Sequence, residues 1–269
     1  MASKVFAPRV DRDENGWLRF PSDANIRDAL WPPEVTEHPA KYNCFMLSAL
    51  VEYMTKPGDT ILDPMSGTGT TMLAATLGRN VICIELEEGY HQMQQYVLRK
   101  IRDMDTESAN RITLLHGDCR KFLPLPCDAV IFSPPYTNIL KVRQSSDFAQ
   151  TTAPNLEKYS ESPWNIGNYN YFMYLQVMEK VYANLALSAK NMVVVIKDHI
   201  EDQQRVTLVD DSIRMAGRGG WKVVERHKMY MAGSSFTKLY RSRGMETVDD
   251  EDIIILESKR GDWLSRNKR

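Results

Sequence analysis

No long apolar run exists in this 269-residue chain, and no stretch approaches the roughly 18 uncharged apolar residues needed to span a bilayer. The opening segment, Met1 to Arg9, likewise has no apolar core of the kind that marks a signal peptide. Cysteine is scarce: four residues, Cys44, Cys83, Cys119 and Cys127, with no Cys-x-x-Cys pair and no histidine at zinc-ligand spacing. Buried, reduced thiols are therefore expected, and no metal site. Excess charge of one sign is also missing, since 34 Lys+Arg against 35 Asp+Glu leave a net charge of −1. That balance excludes a protein coated in positive charge, although not a local basic patch. With 14 glycines, 13 prolines and 26 % charged residues, neither collagen-like, coiled-coil nor disordered composition fits. Internal repeats are absent too. These absences leave a soluble globular protein, and a reducing cytoplasm is the expected location.

What is there is an alternation. Residues 1–37 are polar, carry Pro8, Pro21, Pro32 and Pro33, and read as an N-terminal arm or loose cap, with 38–269 as a single domain. A helix is predicted from Pro39 to Met54, then a turn at Lys56–Asp59 and a strand over Thr60–Leu62. Further strands are predicted at 81–84, 112–115, 129–132, 192–196, 221–225 and 253–256. Helices are predicted to about Leu77 and over 89–103, 169–187 and 206–217. Alternating strands and helices predict an α/β fold, a mostly parallel sheet of seven strands covered on both faces. The last two strands are joined without a helix, which predicts an antiparallel hairpin at one edge.

Each of the first four strands ends in a polar residue: Asp63, Glu85, Asp118 and Ser133. In open α/β sheets ligands bind at the carboxyl ends of the strands, so the four ends predict one lined crevice. After the first strand, Gly67 and Gly69 permit close backbone approach to a ligand, and Thr68 to Thr71 open a helix. The spacing is neither that of dinucleotide enzymes nor that of phosphate loops, and a plain tight turn fits it as well. Glu85, 22 residues after Asp63, stands where a ribose diol would find an acceptor, or is a solvated charge. Asp118 is an acceptor for an adenine amino group, or a turn former after Gly117. Ser133-Pro134-Pro135-Tyr136 forms a rigid turn that no central strand can continue. A hydroxyl, a carbonyl without a ladder partner and a flat ring there suit a planar group bearing an amine.

These residues resemble the S-adenosylmethionine-dependent methyltransferases that modify exocyclic amino groups of bases. Asp63-Pro64-Met65-Ser66-Gly67-Thr68-Gly69-Thr70-Thr71 looks like their cofactor loop, and Ser133–Tyr136 matches their Ser/Asn/Asp-Pro-Pro-aromatic catalytic motif. His38 and Lys41, in His-Pro-Ala-Lys, are similar to the segment that precedes the loop. The resemblance covers about residues 36–200. It implies a Rossmann-like class I methyltransferase fold, with Asp63 to Thr71, His38, Lys41, Glu85, Leu86, Asp118 and Cys119 around S-adenosyl-L-methionine. Within that set Asp63 and Gly67 would lie against the methionine moiety, Glu85 would hold the ribose hydroxyls and Asp118 the adenine. Ser133, Pro134, Pro135 and Tyr136 would hold the target base.

The cofactor half comes first here, whereas many DNA enzymes of this style run in the opposite order, so the chain looks circularly permuted relative to them. Serine at the first motif position is the usual form in the cytosine-N4 enzymes, with adenine N6 the alternative. DNA is the implied partner, as in restriction–modification systems, before RNA. A protein amide substrate and a non-catalytic cofactor-binding subunit stay open, as does the state of association, monomer or homodimer. Target recognition falls to three candidates: the arm, the insertion 137–168 and the basic stretch 218–243. The insertion combines Phe148, Tyr159, Trp164 and Tyr169 with Lys141 and Arg143, as a base-contacting loop or as a loop packed on its own aromatics. The basic stretch carries Arg218, Lys222, Arg226, Lys228, Lys238, Arg241 and Arg243 with one acid, Glu225, for phosphate contacts or as a solvated face. The acidic run Asp249–Asp252 is expected to be a solvated turn.

Overall fold

Strands buried on both faces need apolar side chains at every position, and Val130-Ile131-Phe132 and Val193 to Ile196 supply them. In the computed structural model these runs lie side by side at the centre of the sheet. It describes residues 5–33, 43–136, 162–201, 204–231, 242, 244 and 246–259. In chain order the strands are β1 (Asp11–Arg12), β2 (Leu18–Arg19), β3 (Thr60–Asp63), β4 (Asn80–Glu85), β5 (Ile112–His116) and β6 (Ala129–Phe132). They continue with β7 (Asn191–Ile196), the small β8 (His199–Glu201) and β9 (Gln204–Val206), then β10 (Trp221–Tyr230) and β11 (Asp250–Ser258).

The sheet order is β1-β2-β10-β11-β7-β6-β3-β4-β5. Strands β3 to β7 pair in parallel, and β11 inserts antiparallel between β7 and β10. The seven expected strands are thus present, and the last two pair as the expected antiparallel hairpin, with β2 and β1 lying beyond β10 at that edge. The chain steps outward from β3 to β4 and β5, then returns to place β6 on the other side of β3. Strand order reverses between β3 and β6, and there a crevice opens at the carboxyl ends.

Period-two alternation assigns the two faces. Ile61, Ile131, Val193, Val195, Ile253 and Ile255 point into one core, shared with helices α1 (Ala24–Leu30), α2 (Cys44–Met54) and α3 (Glu88–Met104). Leu62, Val130, Phe132, Met192, Val194, Ile196 and Ile254 point into the other, beneath the long helices Tyr171–Ser188 and Leu208–Arg218. All four cysteines are buried free thiols. Among the described residues no helix is long and apolar enough to cross a membrane.

Two expectations are corrected. The N-terminal stretch is not loose: Phe6, Leu18 and Trp31 are buried in the first core, and β1 and β2 extend the sheet to nine strands through β10. The acidic run is not a solvated turn, because Asp250, Glu251 and Asp252 begin β11 and are 6 %, 8 % and 2 % exposed. Cations of the neighbouring strand hold the two aspartates: Lys228 binds Asp250 and lies 3.5 Å from Asp252, and Arg226 Nε lies 2.6 Å from Asp252. The same pairs alter the picture of the basic stretch. Of its four described cations, Arg218, Arg226 and Lys228 are spent on Glu179, Asp210 and the β11 acids, and Lys222 is exposed. Lys238, Arg241 and Arg243 lie outside the described residues, as do 137–161 of the insertion.

Candidate active site

The glycine loop begins where β3 ends. Asp63 is buried, and its carboxylate accepts the Met65 N–H at 3.1 Å and the Thr71 hydroxyl, so it braces the loop from behind. Gly67 and Gly69 take φ of +50° and +81°, a backbone that side chains with a Cβ rarely adopt. Beyond Gly69 the chain winds as a 3-10 helix, Thr70–Leu77, rather than an α-helix, and Gly78 closes it as expected. The Thr68 carbonyl accepts from Trp31 Nε1 at 2.7 Å, which ties the N-terminal stretch to the loop.

Gln94 pins the loop from the other side. It is fully buried on α3, and its amide Nε2 donates to Ser66 Oγ at 2.9 Å and to the Gly67 carbonyl at 2.7 Å. The sequence reading passed over this residue. It occupies the apolar stripe of α3 with Val97 and Ile101, and a polar residue in such a stripe is the signal that was available. A Cβ on Gly69 would stand 2.7 Å from Met72 Sδ and 2.9 Å from Gln94 Cγ. Gly69→Ala is therefore expected to lower stability by about 1–3 kcal/mol, from left-handed strain and this crowding. Denaturant unfolding of the ligand-free protein checks it, and an unchanged midpoint would refute it.

Glu85 ends β4 and is 6 % exposed. Its carboxylate accepts the Gly67 N–H at 2.6 Å and the Glu87 N–H at 2.8 Å. Burial pushes its pKa up to about 7, against the downward pull of those two N–H groups. Asp118, after β5, caps the short helix Cys119–Phe122 and is clasped by Arg120, with Nε at 2.8 Å and Nη2 at 2.6 Å. Burial raises the Asp118 pKa, but the Arg120 hydrogen bonds outweigh it and hold the carboxyl below its ordinary range.

These strand ends share one open cleft, about 580 Å³ when the solvent at its mouth is included. Pro64, Met65 and Gly67 line it from β3, Glu85 and Leu86 from β4, Asp118 and Cys119 from β5, and Ser133 and Pro135 from β6. The structure thus brings together residues from all four predicted strand ends. Asp63, Ser66, Thr68, Thr70 and Thr71 are buried in the loop's support, and Gly69 is its left-handed hinge; none of them is on the wall. Pro134 is buried behind Ser133. Tyr136 turns away from the wall: its hydroxyl donates to the buried Glu251 at 3.3 Å, and the Lys197 ammonium lies 5.8 Å from its ring centre. His38 and Lys41 lie outside the described residues.

Wall residues that the sequence analysis does not assign include Glu87, Tyr90, Asn165 and Ile166. Asn165 Nδ2 donates to Glu87 Oε1 at 2.9 Å and so fastens the end of the insertion across the cleft. Only the folded chain brings residues 78 positions apart into such contact. The cleft suits a nucleoside ligand with an aminoacyl arm. Gly67 leaves open space where a Cβ would stand, and a buried carboxylate lies beside it.

Residues 8–96 match a family model described as DNA methylase, of the N6/N4 type. The matched segment holds the glycine loop and Glu85. Among curated proteins, YubD of Escherichia coli K12 is 40 % identical over 75 residues, 27 % of this chain and 33 % of that protein. The type II methyltransferase M.HinfI of Haemophilus influenzae is 43 % identical over 58 residues, 21 % of this chain and 16 % of the relative. M.BglI of Bacillus subtilis, also a type II methyltransferase, is 41 % identical over 58 residues, 21 % of this chain and 17 % of its own. The matched part thus spans a third or less of each relative's length. Among solved structures, TrmN from Thermus thermophilus superposes on 82 % of this chain and 50 % of its own, at a TM-score of 0.47 and 15 % identity.

Proposed function

We propose that the protein transfers a methyl group from S-adenosyl-L-methionine to an exocyclic amine of a base in DNA, cytosine N4 foremost. One observation carries the reading: Ser133 and Pro135 stand on the wall of the same cleft as Gly67, Glu85 and Asp118. A cofactor site and an amine-gripping elbow that share a cavity are what methyl transfer between their ligands requires. The family of residues 8–96 supports the same class, and the type II methyltransferases among the relatives support DNA as the polymer. Serine at position 133 favours cytosine N4 over adenine N6, by resemblance to the enzymes that carry it.

When bound, the cofactor supplies an electrophilic methyl group on a sulfonium. The chain's own residues do the rest. The Gly67 backbone admits the ligand closely, and the Glu85 carboxylate accepts from its ribose hydroxyls. The exocyclic amine of a base is a poor nucleophile, because its lone pair is delocalised into the ring. Ser133 Oγ and the Pro134 carbonyl accept hydrogen bonds from its N–H groups, which favours a pyramidal nitrogen and turns the lone pair toward the donor. Positioning of this kind lowers a barrier by several kcal/mol, and acceptors near a nitrogen that becomes positive add an electrostatic share. A base in duplex DNA must leave the stack to arrive there.

Incubation with labelled cofactor and DNA or RNA, then digestion to nucleosides and mass identification, tests the proposal. N4-methylcytosine in DNA is expected. N6-methyladenine would replace the base and keep the class. Label in RNA alone, or in neither polymer, would overturn the assignment.

A further inference from the structure

We propose that Trp164 is the stacking face for the purine ring of the cofactor, and that this contact, rather than a hydrogen bond to the Asp118 carboxylate, holds that end of the ligand. The inference rests on reading the cleft as an S-adenosyl-L-methionine site. Trp164 lines the cleft together with Gly117, Asp118 and Cys119, at the end farthest in chain order from the glycine loop among the cofactor strands. Its side chain is 62 % exposed, an unusual state for the largest apolar ring in the alphabet.

The backbone that carries this ring is pinned. The Trp164 carbonyl accepts from Arg120 Nη2 at 3.0 Å, and its N–H donates to Ser162 Oγ at 3.2 Å. Asn165 follows, buried, with its Nδ2 on Glu87 Oε1 at 2.9 Å and its Oδ1 accepting the Gly167 N–H at 2.9 Å. A flat apolar face beside a cleft, on a fixed backbone, has few degrees of freedom to lose when a planar ligand covers it.

Asp118, by contrast, has little capacity left. Its Oδ1 accepts from the Arg120 N–H at 2.9 Å and from Arg120 Nε at 2.8 Å, and its Oδ2 accepts from Nε at 2.9 Å and Nη2 at 2.6 Å. A carboxylate offers about four acceptor positions, so an amino group arriving here competes with the guanidinium. Releasing Arg120 would also release the Trp164 carbonyl and the Tyr169 hydroxyl, which lies 3.3 Å from Arg120 Nη1. The clasp is worth more intact, as the brace of the aromatic wall. Arg120 is in this sense a positioning residue.

The test titrates the full chain by calorimetry with S-adenosylhomocysteine and with S-inosylhomocysteine, in which an oxo group replaces the purine amino group. Wild type is expected to bind the two within about fivefold of each other, since stacking tolerates the exchange. Trp164→Ala is expected to weaken both by about 10-fold or more, and Trp164→Phe to stay within about threefold of wild type. Thermal melting of Trp164→Ala should match wild type, because the ring is exposed. Unchanged affinity in Trp164→Ala overturns the inference, as does a loss of about 100-fold on the inosyl ligand, which would return the purine to Asp118. Failure of wild type to bind S-adenosylhomocysteine at all would overturn the cofactor reading itself, and the inference with it.

Discussion

Ser133→Ala is expected to lower the rate of methyl transfer by about 100-fold or more, with cofactor affinity kept within about threefold. The two halves of this expectation come from separate strands. Ser133 follows β6, whereas the carboxylate and glycine loop assigned to the cofactor follow β4 and β3. Removing one hydroxyl at the half-buried end of β6 leaves the Glu85 clasp on Gly67 and Glu87 in place. What is lost is one of the two acceptors that orient the amine, and an unoriented amine keeps its lone pair in the ring. Single-turnover transfer to DNA under saturating cofactor, with calorimetry on the same preparation, separates rate from binding. A variant that turns over at the wild-type rate would remove Ser133 from the chemistry. Equal collapse of rate and affinity would instead make it part of the cofactor site.

How far the sequence could be read depended on whether the partner of each residue lay nearby. The central parallel strands were legible because they are buried on both faces, so each carries an apolar run that stops at a polar residue. Those stops, Asp63, Glu85, Asp118 and Ser133, marked the crevice before any coordinates. Within the loop, however, Asp63 and the threonines serve as internal bracing rather than wall, a difference that depends on which way each side chain turns. The N-terminal stretch was misread because its core residues, Phe6, Leu18 and Trp31, are single and follow no period. Asp250 to Asp252 misled for the opposite reason. Charged residues in a row are ordinarily solvated, and only the pairing of β11 with β10 brings Arg226 and Lys228 against them. The phosphate-binding role once open to those two cations weakens accordingly, since a cation already held by a buried carboxylate has less charge to offer DNA. Asn165 was illegible in the same way, as its partner Glu87 lies 78 positions earlier in the chain.

Binding of S-adenosylhomocysteine is expected to tighten as pH rises from 6 to 8, and Glu85 is the cause. Its carboxyl is pushed up to about 7 by burial, so near neutral pH the ligand-free protein is a mixture of protonated and ionised forms. A ribose diol donates hydrogen bonds, and the ionised carboxylate is the better acceptor. The ligand therefore prefers the deprotonated form, and binding releases a proton. Affinity should climb by up to roughly tenfold per pH unit well below 7 and level off above it. Stability of the ligand-free protein runs the other way. The native pKa lies above the ordinary carboxyl value, so the folded state holds a proton that the unfolded chain gives up between about pH 4.5 and 7. Stability is thus lost as pH rises through that window, by roughly 3 kcal/mol at most from this group. Glu85→Gln keeps the shape but cannot ionise. It is expected to bind about 10- to 100-fold more weakly than wild type at pH 8, with the pH slope abolished. Calorimetry in two buffers of different ionisation enthalpy reads the released proton directly. A flat wild-type affinity from pH 6 to 8, or a glutamine variant that binds as tightly, would take Glu85 out of the cofactor site, and the ribose would then need another acceptor among the cleft walls.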